Sequence, residues 1–151
     1  MSVETHHRRN TVWFVAYTAA CTLVFLTPLR GLIQVALASE TYSHILLIPF
    51  VTIVLLWIER NRLFRTMTRS SSSAAVLLLA GTALGALGWR GQVAASESDW
   101  PALAILGFLC LIWAGFLFFY GASAFRAELF PLLFLLLMVP LPGFLLDRFI
   151  A

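Results

Sequence analysis

Five apolar blocks of 16 to 20 residues, joined by short polar links, fill most of this chain. They run from about Thr11 to Leu29, Tyr42 to Ile58, Ala74 to Trp89, Pro101 to Tyr120 and Leu129 to Leu146. A membrane-crossing helix needs about 20 apolar residues. Lipid offers no partner to a bare N–H or C=O, so segments of this kind close their own hydrogen bonds as helices. Composition agrees: 61% of the residues are hydrophobic and 11% charged, where a soluble domain carries roughly a quarter charged. The blocks predict an all-α, polytopic membrane helix bundle of about five transmembrane helices. Disorder, a disulfide scaffold and an independent nucleic-acid module are excluded as main readings, and the immediate partner is the lipid bilayer.

The charges orient the bundle. All ten basic residues are arginine, against seven acids. With the N-terminus inside, Arg8, Arg9, Arg60, Arg62, Arg65, Arg69 and Arg126 are cytoplasmic, and Arg30, Arg90 and Arg148 are outside. The excess of arginine on cytoplasmic loops therefore predicts a cytoplasmic N-terminus. Trp57, Trp89 and Trp100 stand at block ends, where an amphipathic ring suits the interface. Asp99 and Pro101 suit the cap and first turn of the fourth helix. Gly81, Gly85 and Gly88 form a small-residue stripe that lets a neighbouring helix approach closely, and packing within the chain is its expected use. Ala36-Leu37-Ala38 before Ser39 resembles a signal-peptide cleavage site. Pro28, Arg30 and Gly31 separate it from the apolar core, so the first block is read as a retained anchor.

Under this orientation the polar features concentrate outside: a loop from Arg30 to His44, a loop from Arg90 to Trp100 and the tail after Leu146. Ser39-Glu40-Thr41-Tyr42-Ser43-His44 opens directly into Ile45-Leu46-Leu47-Ile48-Pro49. Pro49 has no N–H for the carbonyl of Ile45, so the helix is expected to bend there, leaving a polar notch beside His44. The competing reading is a histidine at headgroup level bonded to a neighbouring loop. The fifth block closes in Met138-Val139-Pro140-Leu141-Pro142-Gly143, which cannot continue a regular helix. That end is either a bent helix terminus with an interfacial Asp147–Arg148 pair, or one wall of an outward-facing site.

Cys21 and Cys110 lie in mid-block and read as packing residues. His6 and His7 beside Arg8 and Arg9 read as an orientation signal, not a metal site. No phosphate-binding loop, dinucleotide fingerprint, zinc motif or hydrolase elbow occurs. No cofactor, metal site or catalytic constellation is expected from the residues.

Two segments together resemble the exosortase family, most nearly its exopolysaccharide-associated A type. The first runs from Glu40 through Tyr42-Ser43-His44 to Phe64, and resembles the family's Tyr-Ser-His-Gly motif opening a helix that ends in Trp and arginines; Ile45 replaces the Gly. The second, Phe130 to Asp147, resembles an apolar run closing in Val-Pro-Leu-Pro. The two hold 25 and 18 residues.

The resemblance implies that residues 1–151 are the N-terminal membrane portion of an exosortase-like protein of the bacterial inner membrane. Complete members are thought to cleave a C-terminal Pro-Glu-Pro (PEP-CTERM) sorting signal by cysteine transpeptidase chemistry at the outer face. Their Cys, Arg and His are expected beyond the Val-Pro-Leu-Pro block, so no catalytic residue is assigned here. Tyr42, Ser43, His44, Pro140 and Pro142 are the family-motif positions expected to line the outward cavity. The alternative is a non-enzymatic scaffold or partner in exopolysaccharide or envelope export.

Overall fold

Pro28 and Gly121 mark two of the breaks between helices. The computed structural model describes the backbone of residues 2–38, 44–59, 71–93 and 100–139, and the side chains of 8–34, 36–38, 46–59, 71–90 and 102–139. The elements are α1 (Ser2–Val24), α2 (Leu26–Ala38), α3 (His44–Ile58), α4 (Ser71–Val93), α5 (Trp100–Tyr120), α6 (Ala122–Ala127), α7 (Leu129–Phe134) and a 3-10 turn (Leu135–Met138). No strand occurs among the described residues.

α1 and α2 meet at Phe25 with a bend of 72°. Pro28 is the physical cause: it has no N–H for the carbonyl of Val24, and its ring crowds that carbonyl. The ladder survives around the defect, with Phe25 N–H donating to Cys21 O at 3.0 Å and Leu29 N–H to Phe25 O at 3.1 Å. The stretch from Arg30 to Ala38, expected as loop, is helical instead. Phe25, Leu29, Leu32 and Ala36 recur at helical spacing, and all four are buried. That stripe packs on α5, which outweighs the Arg30-Gly31 interruption. α3 holds Pro49 within one continuous helix, His44–Ile58. In α5 and α7 the prolines sit in the first turn, at Pro101 and Pro131, where a missing N–H costs nothing. Gly121 ends α5 with φ 90° and ψ 171°, a conformation essentially confined to glycine.

α5 is the axis of the structure. Ile105, Leu109, Ala114 and Phe116 on it are all but inaccessible, and α1, α2 and α4 pack along it. The α4–α5 contact is made through glycine. A Cβ at Gly107 would fall 2.6 Å from the backbone nitrogen of Gly85 and 2.9 Å from the carbonyl oxygen of Gly81. A Cβ at Gly88 would fall 2.7 Å from the nitrogen of Ala104, and one at Gly85 would fall 2.6 Å from Cζ of Phe25. The small-residue stripe thus packs within the chain, admitting α5 on one side and the Phe25 ring of the α1–α2 bend on the other.

Contacts along α5 fix the directions. Asn10, Thr11 and Phe14 meet the Tyr120 end, whereas Phe25 meets Phe108. Ala74 lies level with Ala114, and Gly88 with Ala104. Hence α1 and α4 run antiparallel to α5. α3 runs parallel to it, since Leu46 packs on the cluster around Ile105 and Phe108, and Leu56 on the cluster around Phe116 and Tyr120.

The outer surface is apolar. Trp13, Val15, Leu23, Leu47, Phe50, Ile53, Val76, Leu79 and Phe130 are all more than half exposed, a surface that only lipid or other protein can cover. Two helices have the length and hydropathy of membrane spans, Ser71–Arg90 and Ala102–Tyr120, and the bent α1–α2 pair makes a third if it counts as one. Leu46–Ile58 and Leu129–Met138 are shorter apolar helices. The chain is therefore an all-helical membrane protein.

The glycine contact yields a paired test. Gly107→Leu forces α4 and α5 apart and is expected to destabilise the fold by about 1–3 kcal/mol. Gly31→Ala, with nothing within 4 Å of the added carbon, is expected to stabilise α2 by roughly 0.5–1 kcal/mol. Thermal unfolding of both variants in detergent, followed by tryptophan fluorescence, checks the opposite signs.

Candidate functional site

The two motif segments converge on one end of the bundle. α3, which begins at His44, packs against the 3-10 turn Leu135–Met138. Leu46 from the first segment and Met138 and Val139 from the second pack on the same buried cluster of Phe25, Leu29, Leu32, Ile105, Phe108 and Ile112. Segments some 90 positions apart in sequence therefore share one wall, carried by α5 and the α1–α2 bend.

Local chemistry shapes both edges. Val139 leaves the helix with φ −74° and ψ 118°, its N–H donating to Leu136 O at 3.0 Å. The following residue is Pro140, whose ring drives its predecessor out of the helical region. On α3, the buried Thr52 hydroxyl donates to Ile48 O at 2.9 Å. That bond holds the hydroxyl against its own helix, so the described part of this wall is apolar. Of the predicted positions, His44 is the first residue of α3, with its side chain outside the described residues. Tyr42, Ser43, Pro140 and Pro142 also lie outside the described residues.

The opposite end, around Tyr120, and the middle of α5 carry polar contacts between elements. Phe14 makes edge-on contacts with Phe116, Phe119 and Tyr120 at centroid separations of 5.8, 6.2 and 5.5 Å. Tyr120 Oη donates to Thr11 Oγ1 at 3.2 Å, and Asn10 Nδ2 to Phe119 O at 3.3 Å. Tyr17 packs against Gly115, and its hydroxyl donates to Leu111 O at 2.9 Å. Trp113 Nε1 donates to Leu132 O at 3.2 Å, tying α7 back to α5 across the Gly121 turn.

Sequence reasoning passed over Glu128, whose side chain is fully buried between α6 and α7. Its own N–H donates to Ala124 O at 3.0 Å, and its carbonyl accepts from Leu132 N–H at 3.1 Å, so it forms the joint between the two helices. The signal was present: Arg126 and Glu128 are the only charged residues between Asp99 and Asp147. An ionisable residue in such a run is costly to bury and marks a structural or functional centre.

The thiols sit among apolar side chains. Cys21 packs half-buried on the α5 cluster and Cys110 is buried on α5 itself. Among the described residues, no group of three or more His, Cys, Asp or Glu could hold a metal ion. What the described site offers is an apolar wall between the first turns of α3 and the exit of the 3-10 turn.

Trp113 is the residue that fixes α7, and through it the turn. Trp113→Phe keeps most of the ring and removes the N–H, an expected cost of about 0.5–1.5 kcal/mol. Protease nicking after Gly121 is expected to accelerate, with cleavage elsewhere unchanged; limited proteolysis with mass mapping reads both.

Comparison with known proteins places the chain. No curated protein and no solved structure matches it. The family model described as transmembrane exosortase matches residues 32–151, which include α3, the α4–α5 pair, the Glu128 joint and both converging segments. The chain belongs to the transmembrane exosortase family.

Proposed function

We propose that residues 1–151 form the membrane framework of a protein-sorting exosortase, holding the substrate's C-terminal sorting signal at the outer face of the bacterial inner membrane. The observation that carries this reading is the packing of α3, opened by the Tyr-Ser-His motif, against the turn that leads into Val-Pro-Leu-Pro. In this reading the chain crosses the bilayer five times with its N-terminus inside. The shorter apolar helices serve as spans because one of them, leading through the 3-10 turn to Val139, stops before Pro140 near the site, where a break in the helix can line a cavity instead of facing lipid.

Tyr42, Ser43 and His44 supply polar groups on one side of the cavity, and Pro140 and Pro142 stiffen the other. The family's cysteine chemistry needs a thiolate to attack the scissile carbonyl and form an acyl intermediate, which an acceptor then resolves. Neither Cys21 nor Cys110 has the neighbours of the family's Ala-Cys-Ser-Gly-like motif. Buried thiols on apolar helices are poor nucleophiles. The role assigned to these residues is accordingly binding and positioning of a Pro-Glu-Pro signal, not bond cleavage.

Two experiments test the reading. Alkaline phosphatase fused after Val93 is expected to be active and, fused after Arg62, inactive; the reverse pattern overturns the orientation. In a family member that carries the Cys, Arg and His, changing the histidine that matches His44 to Ala is expected to slow sorting-signal cleavage by about a hundredfold, the scale on which displacing a reacting group by about 1 Å acts. Processing at the unaltered rate overturns the assignment of the motif.

A further inference from the structure

α1 and α4 both pack on α5, and an apolar recess lies where the three helices meet. Small residues make the floor low: Ala114 and Gly115 on α5 face Ala74 and Ala75 on α4. The resulting groove has a volume of about 350 Å³ and an almost wholly apolar lining, completed by Tyr17, Leu78 and Phe118. From Ser71 to Leu78 it extends about 10 Å, at 1.5 Å per helical residue. A second recess of about 480 Å³, walled by Arg9, Asn10, Trp13, Tyr120 and Gly121, shares Phe118 and Phe119 with it. Those two rings stand at 90° with centroids 5.2 Å apart and separate the recesses. Phe118 is 42% exposed and Trp13 61%, so the groove opens onto the lipid-facing surface.

The site formed by the two recesses has one cationic end, at Arg9, and one apolar end, between α1 and α4. We propose that it holds one anionic glycerophospholipid, with the phosphate at Arg9 and an acyl chain lying along α5 between α1 and α4. Charge complementarity selects this occupant. Arg9 and its neighbour Arg8 are both exposed at this end, and an anionic headgroup gains from each basic residue near it. Trp13 at the rim suits the headgroup boundary. The site is distinct from the wall formed by α3 and the 3-10 turn, and it does not depend on the sorting function proposed above.

Native mass spectrometry tests the proposal on the full 151-residue chain in detergent, doped with phosphatidylglycerol and phosphatidylcholine of identical acyl chains. The wild type is expected to retain phosphatidylglycerol about fivefold over phosphatidylcholine, the factor equivalent to about 1 kcal/mol per basic residue near an anionic surface. Arg9→Gln is expected to abolish that preference. Arg90→Gln, at the far end of α4, is expected to leave it intact. Ala75→Phe, which fills the apolar groove from an exposed position, is expected to reduce retention of both lipids. Equal retention of the two lipids by the wild type overturns the proposal, as does a preference that persists in Arg9→Gln. A dimer dissolved by Ala75→Phe with lipid retention unchanged overturns it in favour of a second copy in the groove. If Ala75→Phe does not fold, the Arg9→Gln comparison decides alone, because Arg9 is exposed on the surface of α1.

Discussion

The close approach of α4 to α5 is the contact on which the other elements depend. Helices in lipid gain nothing from hiding apolar side chains from water, since the lipid tails are just as apolar; they associate by fitting backbone to backbone. Gly81, Gly88 and Gly107 provide that fit, with positions for absent Cβ atoms lying 2.6 to 3.0 Å from backbone atoms of the partner helix. Gly85 does something different. It leaves room for the ring of Phe25, and Phe25 is the residue at which α1 turns into α2. One glycine stripe therefore pairs two long helices and seats the bend of a third segment.

Once α5 is held, defects in the remaining helices become usable. Pro28 turns α2 across α5 and buries Leu29, Leu32 and Ala36. Gly121 reverses the chain so that α6 and α7 climb back along α5, pinned by Trp113 and by the Glu128 joint. The 3-10 turn then reaches the level of Leu46, where Val139 is extended because a proline follows it. Each break would be a liability in an isolated membrane helix. Packed on a rigid neighbour, it delivers a chain segment to a defined place.

Much of this was legible in the residues, for reasons that differ by element. α4 and α5 are uninterrupted apolar runs with a proline or polar cluster at their starts, and they fold as such. The exosortase resemblance rested on two segments whose order and polarity matched, and the family match over residues 32–151 includes both. The helical state of Arg30–Ala38 was hidden because Arg30 and Gly31 look like a loop, although Phe25, Leu29, Leu32 and Ala36 already carried the 4-3-4 spacing of a buried helical face. Pro49 sits inside α3, which is packed against α7 and the 3-10 turn. Glu128 was overlooked because attention to carboxylates followed the loops. Its burial is a tertiary property, created when α7 folds back on α5.

The central claim is that α3 and the exit of the 3-10 turn are held side by side by the glycine-packed core. The direct measurement is the distance between spin labels placed at Leu47 and Leu137, both exposed and so tolerant of labelling, in the protein reconstituted into bilayers. A single narrow distribution at short range, broadening when Gly107→Leu is added, is the predicted result. A broad or long distribution in the otherwise unaltered protein, or a narrow one indifferent to Gly107→Leu, would contradict the account.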